Sequence, residues 1–158
     1  MASKRISAGI LLYRRPAAGL EVLLGHPGGP YFERRDDGVW TIPKGEVEPE
    51  ENLLAVAERE FLEETGHPVP PGPRLELGSI VQRGGKTVHA WAVEGDLDVA
   101  SAHSNLFEME WPPGTGRIAF YPEIDRVSWL TPADARRLVK DAQFAFIERL
   151  EALLIGRT

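Results

Sequence analysis

Apolar positions recur along this chain in two periods, and the change from one to the other marks its elements. Residues 4–13, KRISAGILLY, predict a strand whose buried part is Ile10, Leu11 and Leu12. Residues 20–26, LEVLLGH, predict a second strand, with Arg14 to Gly19 as the turn. A charged, Gly/Pro-rich loop follows over 27–38, and a loop of that length is either floppy or functional. Residues 39–42, VWTI, predict a short strand that Pro43-Lys44-Gly45 stops. Over 50–65 the pattern turns helical, with Leu54, Ala57 and Phe61 as the apolar stripe. Gly66 suits the position just past the helix end.

The tract from His67 to Pro73 holds four prolines and reads as a connector. Residues 75–82 and 86–94 predict a hairpin on a two-residue Gly84-Gly85 turn. Residues 95–117 read as irregular, broken at Trp111-Pro112-Pro113-Gly114. Residues 124–130 predict a last strand, Thr131-Pro132 opens a helix, and a terminal helix spans 142–155 with Phe144, Ile147, Leu150 and Leu154 inward. Strands, a mid-chain helix, more strands and a terminal helix predict one α+β domain over 1–158.

The composition narrows the choice of chemistry. At 42% apolar the chain can build a full core, and no apolar run reaches the length of a membrane span. The start, Met1-Ala2-Ser3-Lys4-Arg5, lacks the features of a secretory signal. There is no cysteine, which removes thiolate catalysis and Cys-based metal sites and fits a cytoplasmic protein. A net charge of -6 argues against a nucleic-acid duplex as partner. It also means that a phosphate-bearing substrate needs local compensation, from placed Lys or Arg residues or from divalent cations.

The informative segment is 43–66, PKGEVEPEENLLAVAEREFLEETG. Glu60, Glu63 and Glu64 stand at i, i+3 and i+4 and share one helical face. Like charges at that spacing cost about 0.2–0.5 kcal/mol per pair. Two readings accommodate them: a solvated acidic surface, or a site for hard divalent cations, which take oxygen ligands.

The spacing resembles the box of the Nudix hydrolases, G-x5-E-x7-R-E-U-x-E-E-x-G-U, where U is bulky and apolar. Gly45, Glu51 and Arg59-Glu60-Phe61-Leu62-Glu63-Glu64-Thr65-Gly66 fill its charged, glycine and first apolar positions. His67 stands where the last apolar residue belongs, a departure that touches local packing rather than metal chemistry. The resemblance implies an α/β/α sandwich around a central mixed sheet, with a catalytic loop–helix–loop over 45–67 and a C-terminal helix.

By that resemblance Glu60, Glu63 and Glu64 would hold Mg²⁺, with Mn²⁺ as a substitute, and one of them would activate water. Glu51 and Arg59 resemble the structural pair of the box, and the Gly45 carbonyl a further metal ligand. A later Glu often joins such sites; Glu123 is the first choice, with Glu108 and Glu110 as rivals. Lys44 would contact phosphate. Arg34, Arg35, Arg83 and Lys86 are weaker choices, and His26 and His89 read as structural or exposed. Trp40, Trp91, Trp111 and Tyr121 could stack on a base, Trp40 and Trp91 being better read as core.

Trp40-Thr41-Ile42-Pro43-Lys44-Gly45 is similar to the W-x-x-P-K-G of the dinucleoside-polyphosphate and NTP-cleaving branches. The resemblance therefore implies hydrolysis of a phosphoanhydride in a nucleoside diphosphate linked to another moiety, most simply a dinucleoside polyphosphate or an NTP. The alternative is a non-catalytic Nudix-fold nucleotide sensor, which would not need the intact carboxylates. Monomer and homodimer are both open, and 104–117 has no assigned job.

Overall fold

The computed structural model describes residues 5–156. Their strands are β1 (Ile6–Arg14), β2 (Glu21–Pro27), β3 (Lys44–Glu46), β4 (Leu75–Val81), β5 (Thr87–Glu94), β6 (Leu106–Glu110), β7 (Ile118–Pro122) and β8 (Ile124–Leu130). The helices are α1 (Leu53–Thr65), α2 (Pro132–Leu138) and α3 (Phe144–Ile155). Lys4, the expected start of the first strand, lies outside the described residues.

The main sheet has the order β4-β5-β1-β2-β8, with β3 on β1 as well. It is mixed: β1 runs parallel to β5 and antiparallel to β2 and β3. β1 is central, and this explains its nearly unbroken apolar run. Ala8, Ile10 and Leu12 pack toward α1 with Val56, Ala57 and Phe61. Leu11 and Tyr13 point the other way, into a cluster with Phe146, Ile147 and Leu150 of α3. Helices thus cover both faces of the sheet. Phe61 is fully buried, and truncating such a side chain to Ala costs about 3–5 kcal/mol. Among the described residues no helix is long and apolar enough to cross a membrane.

Four local expectations need correction. Residues 39–42 are not a strand: Trp40 and Thr41 make single bridges to Val139 and Gly25. The Ile42 N–H is spent on the Gln143 side chain at 3.0 Å, so no ladder extends there. Pairing with β1 falls instead to Lys44–Glu46, beyond Pro43, whose carbonyl accepts from Ile10 at 3.1 Å. The β4–β5 turn is a three-residue loop, closed by Gln82 N–H donating to the Lys86 carbonyl at 2.8 Å.

Residues 95–117 are also not wholly irregular. β6 pairs with β7 as a separate two-stranded ribbon, Phe107 opposite Tyr121. Both strands alternate, but one ribbon face stays exposed at Leu106, Ile118 and Phe120, and the buried-face signal is correspondingly weak. The helix predicted from residue 50 begins at Leu53, because the Asn52 side chain caps it by accepting from Ala55 N–H at 3.0 Å.

Gln143 is a buried tie between distant segments. Its Oε1 accepts from Ile42 N–H, and its Nε2 donates to Gln82 Oε1 at 2.7 Å. Gln143→Ala leaves buried polar groups unpaired, and the expected loss is about 1–3 kcal/mol per group in urea unfolding. A loss under about 0.5 kcal/mol would mean that water replaces the amide freely.

Candidate active site

Helix α1 sets the site. Ala57 and Phe61 bury its inner stripe, and Gly66 ends it in the left-handed conformation, φ 75°, with its N–H on the Leu62 carbonyl. This fixes a gradient across the three carboxylates. Glu64 is 8% exposed, Glu60 is half-buried, and Glu63 is open.

The preceding loop is knitted to the helix by charge. Glu51 accepts from the Glu48 N–H at 2.9 Å and from the Arg59 guanidinium at 2.6 Å. Arg59 also lies 3.7 Å from Glu60 and 3.9 Å from Glu63. It is thus shared by three carboxylates. Gly45, on β3, passes directly beneath the Glu60 carboxyl, and a Cβ there would collide with it. The glycine leaves room for the Glu60 carboxyl where it now lies, and no positive φ calls for it.

Glu123 reaches this helix through a splint of main-chain bonds. Asn105 N–H donates to the Glu63 carbonyl at 2.8 Å, and Glu123 N–H donates to the Asn105 carbonyl at 2.9 Å. Ser104 Oγ accepts from Ile124 N–H at 3.1 Å. The first residues of the unassigned 104–117 segment therefore position Glu123.

Together these elements enclose an open cavity of about 490 Å³. It is lined by Ser7, Lys44, Gly45, Glu46, Glu60, Glu63, Glu64, Lys86, Asn105 and Glu123. Burial, and then the neighbouring Glu60, push the Glu64 carboxyl up to about 8. Burial and the Glu63 charge raise Glu60, and partial shielding raises Glu123. Burial, then repulsion from Lys140 and Lys86, lowers the Lys44 ammonium to about 8. Lys44 opposes the rise at Glu64 by its charge and by its main-chain N–H. Carboxylates that are hard to charge together are a ready place for a divalent cation.

The donor set fits Mg²⁺. Every donor on the acidic side is oxygen: the carboxylates of Glu60, Glu63, Glu64 and Glu123 and the carbonyl of Gly45. Among the described residues no group of three or more His, Asp or Glu side chains is drawn together closely enough to hold a metal ion by itself. Mg²⁺ does not ask for one, since it keeps several waters and binds through one or two carboxylates plus substrate phosphates. Ser7 Oγ adds a buried polar atom on the same wall with no hydrogen-bond partner among the described residues.

Other candidates fall elsewhere. Trp40 is 5% exposed in the core, its Nε1 donating to Asp36 at 3.2 Å, so its placement as a base-stacking residue is corrected. Tyr121 packs on Phe107 in the ribbon, ring centroids 6.2 Å apart, and does not line the cavity; nor do Glu108, Glu110, Arg34 or Arg35. Lys86 lines it, 3.4 Å from Glu46. His26 is buried between Asp125 at 2.9 Å and the Arg35 carbonyl, clasping the 27–38 loop. His67 bonds to Ser101 Oγ at 2.9 Å, so the polar residue at the apolar position has a partner. Sequence reasoning missed Ser7, Asn105 and Lys140. Only Ser7 left a trace, as a polar residue within an apolar central strand.

The sequence model of the family described as the NUDIX domain matches residues 3–150. The chain belongs to the Nudix family. It is 45% identical over 71 residues to the bis(5'-nucleosyl)-tetraphosphatase [asymmetrical] of Rattus norvegicus, covering 40% of this chain and 48% of that one. It is 31% identical over 113 residues to the 8-oxo-(d)GTP phosphatase of Mycolicibacterium smegmatis, covering 68% of this chain and 34% of that one. The chain thus spans half or less of the curated relatives it matches. A C. elegans Ap4A hydrolase, solved as a binary complex, shares the fold at TM-score 0.66, with 22% identity and coverage of 95% and 98%.

For this Nudix chain, Gly45→Ala forces Glu60 or β3 to move. Scanning calorimetry should show a small loss, at most about 1 kcal/mol, because the group displaced is the far end of a flexible side chain. An unchanged melting curve would show that Glu60 swings away freely.

Proposed function

We propose that this Nudix chain is a hydrolase that cuts a phosphoanhydride bond of a nucleotide carrying a polyphosphate chain, with Mg²⁺ or, in its place, Mn²⁺. The substrate is a dinucleoside polyphosphate or an NTP. One observation carries the reading: a single cavity has a carboxylate wall (Glu60, Glu63, Glu64, Glu123) beside two lysines, Lys44 and Lys86. A polyphosphate needs both, metal-binding oxygens for its charge and cations for its outer oxygens. The activities for which the two relatives are named, bis(5'-nucleosyl)-tetraphosphatase and 8-oxo-(d)GTP phosphatase, agree with that substrate class.

The roles follow from position. Glu60, Glu63, Glu64 and Glu123, with the Gly45 carbonyl, would hold the metal. Bound there, Mg²⁺ offsets the charge that builds on phosphate oxygens and orients the attacking water. A carboxylate of the cluster takes that water's proton as its oxygen attacks phosphorus and the bridging P–O bond breaks. Lys44 contacts a phosphate oxygen of the substrate. Arg59 and Glu51 touch no substrate; they position Glu60 and Glu63.

A phosphate-release assay checks the reading. With Mg²⁺ the protein should turn over dinucleoside polyphosphates or NTPs, and EDTA should abolish it. Glu64→Gln should lower kcat by about 10²–10⁴, the range for losing a general base. A folded protein inert toward both classes, or equally active in EDTA, would contradict the proposal.

A further inference from the structure

A strong patch of positive charge stands out on this acidic chain, and it adjoins the active site. A second cavity, of about 620 Å³, is lined by Arg83, Arg136, Arg137 and Lys140, with Asp141 as the only carboxylate among its lining residues. One loop contributes residues to both cavities. Gln82 and Lys86 close one loop, with Arg83 on one cavity and Lys86 on the other. Lys140 is close enough to Lys44 and Lys86 for mutual repulsion. Cationic groups therefore run from Lys44 and Lys86, past Lys140, to Arg83 and Arg136.

Most of that charge is left uncompensated. Arg137 is paired with Asp37 at 2.6 Å, and Lys86 with Glu46. Arg83 and Lys140 make no ion pair among the described residues, and Arg136 lies over the Phe144 ring, 4.9 Å from its centroid. Burial and the Lys86 charge lower the Lys140 ammonium, a cost that a bound anion would relieve. Guanidinium forks match phosphate oxygens two at a time.

We propose that this cavity is a second anion site, which takes the distal phosphates of the substrate chain while the bond is cut at the carboxylate cavity. It rests on the proposed function and sharpens it: chains longer than a triphosphate are favoured, because their added phosphates bring the charge that Arg83, Arg136 and Lys140 would meet.

The test compares a tetraphosphate-bridged dinucleotide with the matching NTP, in the wild type and in Arg83→Ala/Arg136→Ala. The ratio of kcat/KM for the two substrates should fall about tenfold in the variant, the scale of a lost charge-assisted contact. In parallel, inorganic tripolyphosphate is titrated calorimetrically into the protein in EDTA. The wild type should bind it, and the variant should bind about tenfold more weakly. Both residues are exposed; if the double variant melts early, Arg83→Ala alone is used. An unchanged kcat/KM ratio overturns the proposal and leaves the hydrolase reading intact. No hydrolysis by the wild type overturns that reading instead, and the titration then decides the cavity: binding lost with the arginines supports an anion site, and equal binding overturns it.

Discussion

Like charges on one helical face repel, and the site of this protein exists because other groups hold them together. Glu60, Glu63 and Glu64 are packed against a core that admits no retreat, since Ala57 and Phe61 anchor the same helix to the sheet. Arg59 spreads one positive charge over Glu51, Glu60 and Glu63. Lys44 faces Glu64 from the neighbouring strand. These contacts reduce the repulsion without removing it, because burial still raises Glu60 and Glu64. The remaining imbalance is what a divalent cation would correct.

The rest of the fold serves that arrangement. β1 carries Ser7 on the cavity wall and holds β3, with Lys44 and Gly45, in register beneath α1. The 103–105 segment binds the end of α1, with His103 N–H on the Thr65 carbonyl at 3.0 Å, and delivers Glu123. Gln143 fixes Ile42 on one side and Gln82 on the other, so a single buried amide steadies the approach to Lys44 and the loop bearing Arg83 and Lys86. Segments bordering the carboxylate and basic cavities are thus held by the same side chain.

What the sequence disclosed was local. Helical spacing places Glu60, Glu63 and Glu64 on one face whatever surrounds them, and the apolar run of Ile10, Leu11 and Leu12 announces a buried strand. Glu123 could be singled out only through the acidic stretch before β8; its approach to α1 depends on Asn105, which no spacing reveals. Lys140 lies far along the chain from Lys44, and the meeting of the two follows from tertiary packing. Trp40 is core, the preferred reading of its apolar surroundings, and that burial removes it from base stacking. The β6–β7 ribbon stayed hidden because its exposed face mixes Glu108 and Glu110 with Leu106, Ile118 and Phe120, so burial alternates along the strands while polarity does not.

The central claim is that the cluster is an incomplete charge arrangement that a divalent cation completes. Thermal melting in EDTA and in excess Mg²⁺, at matched ionic strength, tests it most directly. At a hundred times Kd, binding adds about 2.7 kcal/mol. That corresponds to roughly 5–10 °C for a domain of this size. A rise of that order is expected in the wild type and a much smaller one in Glu60→Gln. Equal melting temperatures with and without Mg²⁺ would contradict it.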